Sequence, residues 1–178
     1  VARRSAVPDD SRLGSARGNA IRSPGWSTVA APEGLTSAID QVIAFFNARK
    51  MDLPDGFFDR KAQFVLNGVA FETLLGQSPT DPLVLMLARG PAGFRFTAKA
   101  LQHALPDARI ERGDLTTDGD PFKMTTKLWL SGTLRHNGEA VNAMVDVTLR
   151  LTSTGLVETA AAVVDEATLD KIRLARRS

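Results

Sequence analysis

Phe122–Thr152 reads FKMTTKLWLSGTLRHNGEAVNAMVDVTLRLT, two strand-like runs, Phe122–Arg135 and Ala140–Thr152, flanking His136-Asn137-Gly138-Glu139. Asn-Gly is the strongest short hairpin signal, because a two-residue type I′ loop needs φ > 0 at both central positions. With Asn137 and Gly138 as that loop, the predicted partners are Leu134 with Val141, Leu130 with Val145, Leu128 with Val147 and Met124 with Leu151. On the other face Arg135 meets Ala140, Trp129 meets Asp146, Lys127 meets Thr148 and Thr125 meets Arg150. One face is then almost wholly aliphatic and the other mostly polar. A one-residue slip would scramble that sorting, so pattern and turn chemistry agree. The stretch is a long antiparallel ribbon covered on one side only.

Working outward, Ser153-Thr154-Gly155 turns the chain into a further strand over Leu156–Val164. A closing helix is predicted over 166–177, with Asp165 as its N-cap. Its acids (Glu166, Asp170) come first and its bases (Lys171, Arg173, Arg176, Arg177) last, as the helix dipole prefers. Before the ribbon, Ala108–Thr117 reads as a strand, and Pro91 is well placed to open a helix whose face is Phe94, Ala98, Leu101 and Leu105, with Pro106 as its stop. Leu83–Ala88 is apolar and of ambiguous type. Ala62–Leu66 and Val69–Leu74 read as a hairpin about Asn67-Gly68, and Leu53-Pro54 opens a short helix through Phe58. A first helix starts near Thr36, with Ile39, Val42, Ile43 and Phe46 at helical spacing. Helices followed by a meander of long strands predict an α+β domain: a curved antiparallel sheet with helices packed on one face, plus an extended N-terminal arm.

Composition narrows the chemistry. The chain has 178 residues, 43% of them hydrophobic, which suits one domain with a real core plus a tail. Cysteine and tyrosine are both absent, which removes disulfides, thiolate ligands, cysteine nucleophiles and phenol chemistry. The net charge is only +2, and residues 1–34 account for it, with five Arg against Asp9, Asp10 and Glu33. A neutral body carries no nucleic-acid footprint. No apolar run approaches the ~18 residues of a membrane span.

The fold reading sharpens into a resemblance. Phe57-Phe58-Asp59 through Phe64-Val65-Leu66-Asn67-Gly68, then Gly132-Thr133 with Asn137-Gly138-Glu139, then Thr154-Gly155-Leu156-Val157 leading to Asp165 and the closing helix, follow one another as in the nuclear-transport-factor-2-like (cystatin-like, cone-shaped) superfamily. The chain resembles its SnoaL-type polyketide cyclase branch over about residues 35–175. The resemblance implies a cone whose mouth opens into an apolar pocket, holding in the enzymes one or two acids, often with a Tyr or His. Here the aliphatic face of the hairpin offers no acid or base, and Asp146 sits on the opposite face beside Trp129. The remaining candidates for an acid–base role are Asp59, Asp114 and His103, with Asp40 also able to approach the mouth. His136 flanks the hairpin turn, and two histidines on unrelated elements make no metal site. No Gly-rich loop has phosphate-binding spacing, so no cofactor is expected.

Two functions are weighed. The first is a non-catalytic accessory or scaffold subunit of a large, respiratory-chain-type mitochondrial complex, associated with a membrane assembly without spanning the bilayer. Residues 1–34 form its arm and 35–178 the cone domain. The arm's composition is too polar and low in complexity to fold alone, and its Arg/Ser/Ala content with a Val1 start suggests the remainder of a cleaved presequence. Trp26 would anchor it in a partner pocket, with Arg3, Arg4, Arg12, Arg17 and Arg22 as charged contacts. Trp129 and Met144 would serve as anchors on the outer sheet face. The alternative is a small-molecule isomerase, cyclase or hydrolase of the SnoaL-like kind, cytoplasmic, with a carboxylate in a pocket that takes a small apolar ligand. The two separate on the cone: filled by its own side chains for the scaffold, open by a few hundred Å³ and holding a carboxylate of raised pKa for the enzyme.

Overall fold

The computed structural model describes residues 29–30, 33–54, 56–74, 82–117 and 119–175. Its elements in chain order are β1 (Val29–Ala30), α1 (Glu33–Asn47), β2 (Phe58–Leu66), β3 (Val69–Ala70), α2 (Phe71–Leu74), α3 (Pro82–Ala88), α4 (Gly90–Ala104), β4 (Arg109–Arg112), β5 (Thr116–Thr117), β6 (Lys123–Thr133), β7 (Ala140–Leu151), β8 (Val157–Val163) and α5 (Glu166–Ala175). The strands form one curved sheet in the order β1-β5-β6-β7-β8-β2-β3, with β4 also pairing β6. Every pairing is antiparallel except that of β2 with β8. The expected α+β cone, with helices on one face of the sheet, is the observed architecture.

The ribbon β6–β7 keeps its faces and changes its partners. Leu128 pairs Val145, Leu130 pairs Ala143, Trp129 pairs Met144 and Lys127 pairs Asp146. That register lies two residues from the predicted one, and an even slip leaves every side chain on its own face. The turn explains the slip. Leu134 N donates to Glu139 O at 2.8 Å and Gly138 N to Leu134 O at 2.9 Å, which closes a four-residue loop. Gly138 has φ +72°, but Asn137 does not have positive φ, so this is no type I′ turn. Arg135 is drawn onto the end of α4, its N donating to Ala104 O at 2.9 Å and its Nε to His103 O at 2.8 Å. Those contacts favour the longer loop.

Three local readings change as well. Leu53–Phe58 is not helical; β2 begins at Phe58, four residues before the predicted start, because Phe57 and Phe58 are buried in the core. The return strand over Val69–Leu74 ends at Ala70, and Phe71–Leu74 turns into a short helix. The strand over Ala108–Thr117 is split at residues 113–115 into β4 and β5. Helix α1 begins at Glu33, ahead of Thr36, with that acid in its first turn where the dipole favours it. The ambiguous run Leu83–Ala88 is helical. As expected, Asp165 caps α5, accepting from Thr168 N at 2.8 Å, and these bonds hold its carboxyl below the usual range.

Specific bonds seat α1 and α4 over the concave face of the sheet. The Asn47 side chain donates to Ile110 O and accepts from Ile110 N, both at 2.8 Å, so the end of α1 completes the pairing of edge strand β4. One residue earlier in α1, Phe46 O accepts Gln102 Nε2 of α4 at 2.9 Å. Gly90 (φ +57°) admits the closest approach of α4 to β2, since a Cβ there would lie 2.4 Å from Arg60 O.

Candidate functional site

The helices do not fill the cone. A half-enclosed cavity of about 300 Å³ lies between α1, α4 and the concave face of β2, β6, β7 and β8. Its origin is legible in residue size. Strand β8 contributes Ala160, Ala161 and Ala162, and α4 contributes Ala98, where larger side chains would close the space. Aromatic rings form one wall: Phe58 stands 5.4 Å from Phe64 and 5.3 Å from Phe94 between ring centres, and 4.7 Å from Phe57.

Among the described residues the lining holds no charged side chain and no histidine. Thr97 and Thr126 are the only polar side chains in the lining among the described residues. Thr97 Oγ1 donates to Gly93 O at 2.9 Å, within its own helix. Thr126, on β6 between the buried Met124 and the cavity-lining Leu128, has Gly113 O at 3.2 Å and Lys127 O at 3.4 Å.

The expected acid–base residues lie elsewhere. Asp59 is half-buried at the start of β2, and its Oδ1 accepts from Lys61 N at 2.7 Å, a local turn contact. Asp114 is exposed and lines a groove on the opposite side of the sheet with Lys127, Trp129 and Asp146. His103 is exposed near the end of α4, where its carbonyl receives Arg135 Nε. His136 is exposed in the hairpin loop. Asp40 is committed to Arg112, which donates Nε and Nη2 to its two oxygens at 2.6 and 2.8 Å and holds its carboxyl below the usual range. The structure therefore brings none of these groups to the cavity.

The sequence reading missed one carboxylate. Glu72 is buried in α2; its Oε1 accepts Arg89 Nε at 2.6 Å and its Oε2 meets no donor among the described residues. Its neighbour Phe71 lines the cavity, whereas Glu72 does not. A lone acid inside the run Val69–Leu74 was the available signal.

Trp129 and Met144 are cross-strand neighbours on the outer face, 47% and 49% exposed, beside the Lys127–Asp146 ion pair. The proposed arm contacts Trp26, Arg3, Arg4, Arg12, Arg17 and Arg22 lie outside the described residues. No helix among the described residues is long and apolar enough to cross a membrane, and no cluster of His, Cys, Asp or Glu there could hold a metal ion.

The cone and its apolar chamber define the class: the fold is that of the nuclear-transport-factor-2-like proteins in their SnoaL-like form. No family model and no curated protein matches the sequence. Among solved structures, a SnoaL-like polyketide cyclase from Agrobacterium tumefaciens C58 is similar at TM-score 0.55 and 17% identity, over 77% of this chain and 95% of that one. TerC, co-crystallised with polyporic acid, is similar at TM-score 0.55 and 14% identity, over 81% of this chain and 98% of that one. SalBIII, an epoxide hydrolase/cyclase-like enzyme of pyran ring formation in salinomycin, is similar at TM-score 0.53 and 16% identity, over 76% and 93%.

These findings correct the first functional reading. A respiratory-chain accessory subunit was expected to have a cone filled by its own side chains; the cone is open, and the similar structures named above include a SnoaL-like polyketide cyclase and an epoxide hydrolase/cyclase-like enzyme.

Proposed function

We propose that this protein acts on a small, largely apolar molecule enclosed in the cone, as a cyclase or isomerase of the SnoaL-like kind. The observation that carries the proposal is the half-enclosed cavity of about 300 Å³, walled by Phe58, Phe64 and Phe94 and lined otherwise by further phenylalanines, aliphatic residues and two threonines. Such a chamber is the usual form of a small-molecule site. The similarity of fold to SalBIII and TerC supports the same reading.

The lining decides what kind of help the protein gives. With no carboxylate, imidazole or amine facing the chamber among the described residues, no side chain there can move a proton for the substrate. What remains is confinement. A flexible molecule held folded in one conformation reacts with itself far faster than in water, because its rotational freedom has already been given up. That suits ring closure or isomerisation of a molecule reactive by itself. It does not suit hydrolysis, which needs a base to activate water. A carboxylate mechanism in the pocket, implied by the resemblance, is not supported by this geometry.

The test is occupancy. Titration of the whole chain with neutral bicyclic molecules, followed by NMR, is expected to shift the methyl signals of Leu128, Val145 and Val147, which line the chamber. Ala160→Phe, which places a ring in the chamber, is expected to abolish those shifts. Shifts confined to the outer face, or unchanged in Ala160→Phe, would overturn the proposal.

A further inference from the structure

We infer that Ala160 and Ala162 set the specificity of the chamber: above them β8 leaves a slot one ring thick, which takes the edge of a flat ring system and excludes a cage of the same carbon count. The inference deepens the proposed function and rests on the chamber being the binding site.

The slot follows from the register. Two rows of paired residues cross the adjacent strands β7, β8 and β2 on the concave face. One row is Val147, Ala162 and Leu66, the other is Leu149, Ala160 and Phe64, and all six residues line the chamber. Directly paired residues share a face of the sheet. In each row the alanine therefore stands between larger side chains, and the middle strand is a trough. Both alanines are only half-buried, although β8 has a neighbouring strand on either side. Ala98, by contrast, is 5% exposed and has no comparable room beside it.

Strand spacing sets the width of the trough. Neighbouring strands lie about 4.8 Å apart, so a layer of carbon atoms standing over β8 has a row of Cβ atoms about 4.8 Å away on each side. Beyond those Cβ atoms the branches of Val147 and Leu149 build one wall, and those of Leu66 and Phe64 the other. Carbon atoms pack best at about 3.5–4.0 Å, so one layer fits between the walls. The curvature of the sheet brings them closer still. A caged skeleton is several atoms thick and meets both walls before it reaches the alanines, and forcing it in is overpacking. The slot would hold the flat end of a substrate while its flexible remainder folds in the wider space beneath α1 and α4.

A matched pair of probes reads the slot. 2-Naphthol and 1-adamantanol carry the same number of carbons and a single hydroxyl, and differ in being flat or caged. Titrated into the whole chain at neutral pH by NMR, 2-naphthol is expected to bind about tenfold more tightly. Ala160→Leu and Ala162→Leu fill the slot, and each is expected to bring 2-naphthol down to the level of 1-adamantanol. Thr159 lies on the other face of the same strand, opposite the exposed Arg150, and does not line the chamber. Thr159→Leu is therefore expected to leave both affinities as they are. Far-UV circular dichroism reports whether each variant is folded. If a leucine variant fails to fold, the valine variant at the same position takes its place, with an expected loss of about threefold for 2-naphthol.

The two ideas fail separately. If neither probe shifts the chamber methyl signals of the wild-type chain, the cavity reading falls and this inference falls with it. Equal binding of the two probes to the wild type overturns the slot without any variant, while the chamber remains a binding site. So does a folded variant at either alanine that keeps the advantage of 2-naphthol, or a Thr159→Leu chain that loses it.

Discussion

The two faces of the β6–β7 ribbon are made from alternate residues of the same two strands, yet they have opposite uses. The inner face carries Met124, Thr126, Leu128 and Leu130 against Val145, Val147 and Leu149, and it forms a wall of the chamber. The outer face carries Lys127 and Trp129 against Asp146 and Met144, all exposed. The difference teaches that parity along the strand, not the identity of the cross-strand partner, assigns a residue to the chamber or to solvent. Neighbouring residues should therefore differ sharply in consequence. Leu130 is only 6% exposed and packs in the core, so Leu130→Ala is expected to lower the unfolding free energy by about 2–5 kcal/mol in urea denaturation. A loss below about 1 kcal/mol would break the distinction at its strongest point.

A second expectation concerns what holds the helices over the inner face. The Asp40–Arg112 pair joins α1 to β4, and Asp40 is more than half exposed, so its removal in Asp40→Asn is expected to cost about 1 kcal/mol or less. The sign with pH follows from the lowered Asp40 pKa. A carboxylate whose pKa is depressed on folding contributes stability above its ordinary value, near 3.8, and that contribution is lost as pH falls through the folded value. Wild type and Asp40→Asn should thus differ at neutral pH and converge in acid below about pH 4. Curves that stay parallel from pH 7 to pH 2 would remove Asp40 from the account.

Much of the fold was legible because it depended on patterns that survive local error. The inner and outer faces of the ribbon, the helix closed by Pro106 and the Asp165 cap all follow from periodicity and capping chemistry. The two Asn-Gly turns show where such reading stops. At Asn67-Gly68 both residues have positive φ, and the loop joins Leu66 directly to Val69 as a two-residue turn. There the Asn67 side chain also donates to Val164 O at 2.8 Å and accepts from Val164 N at 2.9 Å, so a distant strand end supports the conformation. At Asn137-Gly138 the same dipeptide sits in a longer loop, because α4 binds Arg135. The dipeptide permits the tight turn, and tertiary contacts decide whether it forms. The chamber was less legible still. An empty volume exists only where Ala98, Ala160 and Ala162 converge from different elements, and no single stretch announces that. The expectation of a scaffold subunit rested on the missing acid–base set and on residues 1–34; the chamber accommodates the first without a scaffold role, and most of the second lies outside the described residues.

On the outer face Trp129 tests how much an aromatic contributes where one side of it is wet. Its ring lies over Gly113, where a Cβ would sit 3.3 Å from ring atoms, yet the residue remains 47% exposed. Trp129→Ala is expected to cost under about 1 kcal/mol, well short of Leu130→Ala one position away. A loss equal to that of Leu130→Ala would show that the outer face is part of the core.

The smallest expected effect is that of the ion pair beside it. Lys127 Nζ donates to Asp146 Oδ1 at 2.9 Å, and these directly opposed side chains are 55% and 63% exposed. Water and salt screen such a pair, and ordering two flexible side chains offsets part of the attraction. A double-mutant cycle built from Lys127→Ala, Asp146→Ala and the double variant is therefore expected to give a coupling of about 0.2–1 kcal/mol at low ionic strength. Raising the salt to about 1 M shortens the screening length to about 3 Å and should remove most of it. A coupling of several kcal/mol that ignored salt would mean that the pair is dry, and the outer face would then have to be covered by something in solution.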